Sequence, residues 1–281
     1  SQSWERDPDV GRFLIRRALR IFPGLWVCIL LCTYVLGPLL THIPLRDYWW
    51  HAHTKGYLSN LYLYISYALP GVFAENKYPH AVNGSLWSLP VEFMMYLFMA
   101  GLLWLRPSKW ISLLVGAGAI VMVFAWALPR ADMLVIYRTD IRQLFICGAY
   151  FWVGVLLHQW RLRGRWSGWV LLAVLSVWLA LSPWRDLFVL CSYLALPLLI
   201  VEVVERSWPG FRSLNAHDYS YGIYIYAFPV QQTIASFYPH MELLPYVLAA
   251  TLATVILAKL SWAWVESRCL KFKPKGSISV A

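Results

Sequence analysis

Three clusters in this 281-residue chain have the residue types and spacing for chemistry. The first is Arg16-Arg17-Ala18-Leu19-Arg20, followed by Ile21-Phe22-Pro23. Arg17 and Arg20 are three apart, so a helix puts them on one face. Two guanidiniums there suit a bidentate grip on phosphate or pyrophosphate, with Arg16 as a helper. A basic run before an apolar stretch also serves as a plain membrane anchor, which is its commonest use. The second cluster is Asn83-Gly84-Ser85-Leu86-Trp87-Ser88-Leu89-Pro90-Val91-Glu92. Glu92 falls about 10 Å along an apolar helix. A carboxylate at that depth is costly and faces a bundle interior or a wet cavity. Pro90 removes a backbone donor, and Ser85 and Ser88 can satisfy freed backbone groups. The expectation is a polar active centre with Glu92 as its catalytic carboxylate; the alternative is a carboxylate that only holds helices together. Asn83, Trp87 and Ser88 are the candidate substrate contacts.

The third cluster runs from Asp218 through Tyr219-Ser220-Tyr221-Gly222-Ile223-Tyr224 to Phe228 and Gln232. Tyr221, Tyr224 and Phe228 share a helical face. They suit a channel for an acyl chain or a sugar, though packing against neighbouring helices is the commoner use of such a stripe. His80 is the one histidine near Glu92 in sequence, and its use as a general base depends on a position that spacing does not give.

The elements that must hold these clusters follow from composition. Hydrophobic types make up 60% and charged types 14%, against roughly 45–50% and about 25% in soluble domains. The mean hydropathy is +0.55. That excludes a disordered chain and argues against a soluble enzyme. The net charge of +10 is carried between apolar stretches, which points to membrane topology rather than to nucleic acid. The abundance of Trp and Tyr, 17 of each, suits interfacial belts. The five cysteines show no CxxC spacing, so neither a metal site nor a disulfide framework is expected.

Apolar stretches of spanning length occupy 21–40, 86–105, 110–128, 143–160, 166–182, 186–204, 219–237 and 243–266. A ninth, 57–70, is short for a span and suits a re-entrant or interfacial segment. Charge balance tests that choice. If 57–70 does not cross and the N-terminus is cytoplasmic, 16 of the 24 Lys and Arg fall on the inner side and 7 on the outer, with Lys259 inside a helix. If it crosses, the inner count drops to 10 and the outer rises to 13. The positive-inside tendency favours the first arrangement. The expected fold is all-α, a polytopic transmembrane helical bundle of eight spans plus one short re-entrant or interfacial segment. It forms one domain over 1–281 with both ends cytoplasmic.

The motifs occur in a telling order: Arg17-x-x-Arg20-Ile-x-Pro, Gly84-Ser85-Leu86-Trp87-Ser88-Leu89-x-x-Glu92-x-x-x-Tyr96, Ser220-Tyr221-Gly222-Ile223-Tyr224, and Ser261-Trp262-x-x-x-Glu266. This resembles the acyltransferase 3 family of bacterial integral membrane acyltransferases, along nearly the whole chain. The resemblance implies an enzyme of the bacterial cytoplasmic membrane. It moves an acyl group, commonly acetyl, from cytoplasmic acyl-CoA to a hydroxyl of an extracytoplasmic carbohydrate or similar acceptor, as in O-acetylation of a polysaccharide. Acyl-CoA is the co-substrate, no metal is implied, and the partners are the donor, the acceptor and the bilayer. The family's RxxR motif, tied to the acyl-CoA end, falls on Arg17 and Arg20. Family members carry two further spans ahead of that motif, the first with an Arg and a His thought essential. A chain starting at Ser1 is therefore expected to be N-terminally incomplete, and that His maps onto no residue here. Ala227 stands where many members have a His. The other readings are a polytopic transporter of a lipid-linked or small polar substrate, motivated by the broken 57–70 stretch beside Glu92, and an inactive fragment of the acyltransferase.

Overall fold

The computed structural model describes residues 9–105, 108–129, 132–160, 167–205 and 218–274. Several charges that enter the topology count, among them Arg106, Arg161, Arg163, Arg165, Arg206 and Arg212, lie outside them. The chain divides into two compact units. The terminal unit comprises Gly11–Glu92 and Asn215–Ala281, and the central unit Ser1–Val10 and Phe93–Leu214.

The terminal unit is built on α1 (Val10–Leu40). Pro23 lies inside this helix and deprives the Leu19 carbonyl of its usual donor. A wider turn at Cys32–Leu36 follows, where the Thr33 hydroxyl bonds back to the Ile29 carbonyl at 2.8 Å. Two short helices come next, α2 (Leu45–Trp50) and α3 (Ala52–Tyr57). The stretch 57–70 then forms one tight turn over Leu58–Tyr62 and leaves helical geometry at Leu63, whose φ is 65°. Its polar centre is the buried Asn60, whose amide donates to the Tyr57 and Ser66 carbonyls and accepts the Ser66 N–H. The path from the end of α1 to the end of this stretch closes on itself. The Thr41 hydroxyl donates to the Pro70 carbonyl at 2.7 Å, and the His42 N–H to the Gly71 carbonyl at 3.1 Å.

Asn83 starts a short turn, Gly84–Trp87, that runs into α4 (Ser88–Leu105). Late in the chain, α9 (Ser220–Phe237) and α10 (Leu243–Phe272) pack as an antiparallel pair. A Cβ on Gly222 would stand 2.9 Å from the Ala258 Cα, so the two backbones touch through small residues, as packed membrane helices do. A second wide turn, Trp262–Glu266, interrupts α10 near its end.

The central unit takes the rest of α4 and adds α5 (Lys109–Met122), α6 (Arg142–Gln159), α7 (Gly168–Ala180) and α8 (Arg185–Glu205). Ser108 and Ser167 cap α5 and α7, accepting N–H groups of Ile111 and Val170. A two-residue hairpin, Val135–Ile136 against Thr139–Asp140, precedes α6, and Asp140 grips Arg142 at 2.7 Å. Val123, Ala149 and Tyr193 form a buried core cluster of this unit.

The protein is thus helical, with helices at all eight expected stretches. Four regions are long and apolar enough to cross a membrane: Val10–Leu40, Gly84–Leu102, Lys109–Ala127 and Leu243–Phe272. The expectation of eight such helices is not met in full among the described residues. The helix α7 has 13 residues, about 20 Å of rise. Both α6 and α9 dilute their apolar residues with Gln and Tyr. A crossing count of eight rests on stretch positions and charge balance, not on helix length.

Candidate active site

The site residues of the terminal unit come from α1, the turn before α4, and the α9–α10 pair. On α1, Arg17 and Arg20 continue to Gly24 at helical spacing, one stripe of one face. The Arg17 guanidinium lies 5.3 Å from the Phe13 ring centre, where its charge meets the ring face. Arg20 Nη2 contacts Asp218 Oδ2 at 2.7 Å and Ser220 Oγ at 3.5 Å. The other Asp218 oxygen accepts the Ser220 hydroxyl at 2.5 Å and its backbone N–H at 3.3 Å. Partial burial pushes the Asp218 carboxyl upward, yet the bonds from Ser220 and the charge of Arg20 prevail and hold it below the usual carboxylate range. Lys273, just past the end of α10, joins the same field. Burial and then the guanidiniums of Arg20, Arg17 and Arg16 push its ammonium down. Four cations gather around Asp218 at this end of the unit, with Glu266 in reach of the same field, a setting for a multiply charged phosphate ligand.

One turn deeper along α1 lies Gly24. A Cβ there would stand 2.9 Å from the Tyr221 ring and 3.5 Å from Glu266 Cγ. The Tyr221 hydroxyl donates to the Ile21 carbonyl at 2.7 Å, and Ser261 Oγ donates to Glu266 Oε1 at 2.8 Å. Ser261 and Glu266 are both buried, so the motif from Ser261 to Glu266 closes on itself across the wide turn. Tyr221 also lies within reach of the charges of Glu92 and Glu266. It stands between the arginine end of the unit and the half-buried carboxylate of α4.

The turn from Asn83 to Ser88 is held by α9. The Tyr224 hydroxyl donates to the Ser85 carbonyl and shares a 2.6 Å hydrogen bond with Ser88 Oγ. The Phe228 ring covers Gly84. Asn83 is fully buried, its amide donating to the Ile225 carbonyl at 2.8 Å and accepting the Ser85 N–H at 3.2 Å. Its chemistry is spent on joining the turn to α9, whereas Trp87 is exposed. Upstream, the buried Gln232 donates to the Tyr78 and Ala81 carbonyls at 2.8 and 2.7 Å and accepts from Asn76. These bonds fix the loop that carries His80, whose φ is 58°.

The structure thus brings Arg20 to Asp218, and Ser88 to Tyr224. The face of Tyr221, Tyr224 and Phe228 packs, as its spacing favoured, but the two tyrosines also place their hydroxyls on backbone carbonyls near each polar cluster. Lys273 was not named by sequence, Asp218 and Gln232 only bounded the third cluster without a role, and Ser261 and Glu266 were not among the candidate site residues. The order of motifs pointed at Ser261 and Glu266 without giving a role. Among the described residues no group of three or more His, Cys, Asp or Glu gathers as a metal site would require.

Comparison with known proteins gives the reaction class. The acyltransferase 3 family, described as an acyltransferase domain, matches residues 2–262. This chain belongs to the acyltransferase 3 family. It is similar to an O-acetyl transferase of Shigella phage Sf6, 26% identical over 282 residues, which cover 99% of this chain and 83% of the relative. It is also similar to nodulation protein 10 of Rhizobium leguminosarum bv. viciae, 28% identical over 308 residues, which cover 97% of this chain and 79% of that protein. No solved structure matches. As an acyltransferase 3 member the protein is a multi-pass membrane enzyme that transfers acyl groups from an acyl-CoA-like donor, and the four motifs lie in its helices at the positions just described.

Proposed function

We propose that this acyltransferase moves an acetyl group from cytoplasmic acetyl-CoA to a hydroxyl of a carbohydrate acceptor on the opposite side of the membrane, with Arg17 and Arg20 holding donor phosphates and Glu92 serving the transfer. The observation that carries this reading is the placement of both polar clusters along one compact unit. Arg20 stands at one end beside Asp218 and Lys273, Glu92 enters α4 from the Ser88–Tyr224 turn, and Tyr221 lies between them. Arg16 adds charge to the donor end. Trp87 offers an exposed ring to the acceptor and Ser88 a hydroxyl, while Asn83 contributes by holding their turn in place. The hydroxyl oxygen of the acceptor attacks the thioester carbonyl and the C–S bond breaks. The acyl group leaves on the acceptor oxygen, and the displaced thiolate takes up a proton. Glu92 orients the group that accepts the hydroxyl proton. In this reading the eight stretches cross the bilayer, 57–70 does not, and both ends of the chain are cytoplasmic.

The test is Glu92→Gln in the full-length protein, assayed for acetyl transfer to acceptor from labelled acetyl-CoA. The expected result is loss of transfer by at least two orders of magnitude at unchanged membrane expression, as removal of a carboxylate that orients a general base can cost up to about 10⁴. Wild-type transfer in that variant removes Glu92 from the mechanism.

A further inference from the structure

Glu266 is only 5% exposed and closes the wide turn Trp262–Glu266 of α10. A buried carboxylate is costly unless its oxygens find partners. Oε1 accepts the Ser261 hydroxyl at 2.8 Å. Oε2 has no hydrogen-bond or ion-pair partner among the described residues, yet it is not sealed into the packing. Arg20 stands within reach of the charge but makes its ion pair with Asp218. Buried carboxylates of membrane helices ordinarily pair across the bundle or line a functional cavity. Glu266 pairs across nothing, because Ser261 belongs to its own helix, five residues earlier. On an unbroken α-helix residues five apart point about 140° away from each other. The wide turn brings these two together, and turns of that kind recur at functional sites. It fixes one oxygen of Glu266 and leaves the other unused.

The neighbours place that second oxygen. A Cβ on Gly24 would stand 3.5 Å from Glu266 Cγ and 2.9 Å from the Tyr221 ring. Gly24 follows Arg20 by four residues on α1, one turn of about 5.4 Å. Glu266 therefore borders the arginine stripe at its deeper end. An acyl-CoA donor whose pyrophosphate rests on the arginines must send its arm past this level to carry the thioester inward. That arm is uncharged, and its hydroxyl and amide N–H groups lose water as they enter. A carboxylate oxygen is a strong acceptor for such groups. We infer that Glu266 is a second contact for the acyl donor: its Oε2 accepts an N–H or O–H of the pantetheine arm, and Ser261 is the positioning residue that aims it. The inference rests on the reading of Arg17 and Arg20 as the phosphate contacts. The competing arrangement is a carboxylate that merely repels the phosphates. The two differ in sign, because removing a contact weakens donor binding and removing a repelling charge strengthens it.

The experiment is displacement of labelled acetyl-CoA from membranes holding the full-length protein, with two competitors. One is CoA; the other is adenosine 3′-phosphate 5′-diphosphate, which has every phosphate of CoA and no arm. The variants are Glu266→Ala, Glu266→Gln, Ser261→Ala and Arg20→Ala. The expected result in Glu266→Ala is CoA binding weaker by about tenfold or more, the loss of a hydrogen bond to a charged acceptor, with the nucleotide held as before. Glu266→Gln keeps an acceptor oxygen and retains most of the CoA affinity. Ser261→Ala gives the same split as Glu266→Ala at about threefold. Arg20→Ala weakens both ligands. Equal weakening of CoA and nucleotide in Glu266→Ala overturns the inference, since a purely structural role disturbs the phosphate end as well. Unchanged or tighter CoA binding there also overturns it, the second in favour of repulsion. Should Glu266→Ala not accumulate in membranes, Ser261→Ala decides, and unchanged CoA binding in that variant overturns the inference. Unchanged binding of both ligands in Arg20→Ala refutes the phosphate-site reading itself and is thereby distinguishable from failure of the inference.

Discussion

At the scale of single residues, the ionisation of Asp218 gives a direct check on the arginine end of the unit. Its carboxyl sits below the ordinary range because Ser220 and Arg20 outweigh the effect of partial burial. A carboxylate whose folded pKa is depressed contributes stability above its unfolded value, near 3.9, and loses it as pH falls through the folded value. The charged groups that share this field are Arg16, Arg17 and Arg20 from α1, Glu266 from α10, and Lys273 beyond it. The arginines stay charged throughout, and Lys273, though pushed down, starts from 10.5. The expected outcome is that this pair's contribution to stability is level from about pH 5 to 8 and falls away below about pH 4 as Asp218 takes up a proton. Thermal unfolding of the purified full-length protein across that range, beside Asp218→Asn, measures it. An acid profile in Asp218→Asn identical to that of the unsubstituted protein would assign the loss to another carboxylate.

At the scale of elements, α9 is the strut on which both polar clusters depend. Tyr221 ties it to α1 through the Ile21 carbonyl, Tyr224 ties it to the turn before α4, and Gln232 ties it to the loop around His80. Tyr224→Phe keeps the ring and removes the hydroxyl that serves Ser85 and Ser88. The expected cost is about 1 kcal/mol of stability, with transfer reduced several-fold because the turn bearing Ser88 and leading to Glu92 loosens. Thermal unfolding of the purified protein and an acetyl-transfer assay check the two parts, and equal stability and activity would reduce Tyr224 to packing. The helices themselves were legible from apolar stretches, and the arginine stripe and the Glu92 turn from spacing, since each is encoded within about ten residues of chain. The partners were not. Asp218 and Ser220 lie about 200 residues from Arg20, as Tyr221 does from Ile21, and no local periodicity records such a pairing. The tyrosine stripe read as packing because spacing reports which residues share a face and not where a hydroxyl ends. The 57–70 stretch was ambiguous because apolar runs of that length suit several structures. Its irregular path follows from Asn60, whose amide bonds with Tyr57 and Ser66 bind the chain into a turn.

At the scale of the whole molecule, the question that sets the sides of the membrane is whether 57–70 crosses. Charge balance favours the proposal that it does not. The contacts of Thr41 with Pro70 and of His42 with Gly71 support the same answer by a separate route, because the chain that leaves the end of α1 at 41–42 is hydrogen-bonded to itself again at 70–71, at the level from which it set out. A fully crossing segment would need about 30 Å between those ends. Arg46 and Lys77 lie on either side of 57–70 in the chain and give the test. In a full-length protein with its native cysteines replaced by serine, single cysteines are placed at Arg46, Lys77 and Lys271, and intact cells are treated with a membrane-impermeant maleimide. The expected outcome is labelling at 46 and 77 without permeabilisation, and at 271 only after it. That pattern puts the Glu92 entry on the outer side and the Arg17–Arg20 stripe, which shares its field with Lys273, on the inner side, as transfer from a cytoplasmic donor to an outer acceptor requires. Labelling of 46 and 77 from opposite sides would mean that 57–70 crosses. The charge balance would then invert for every later segment, and Glu92 would enter its helix from the cytoplasm, on the same side as the donor.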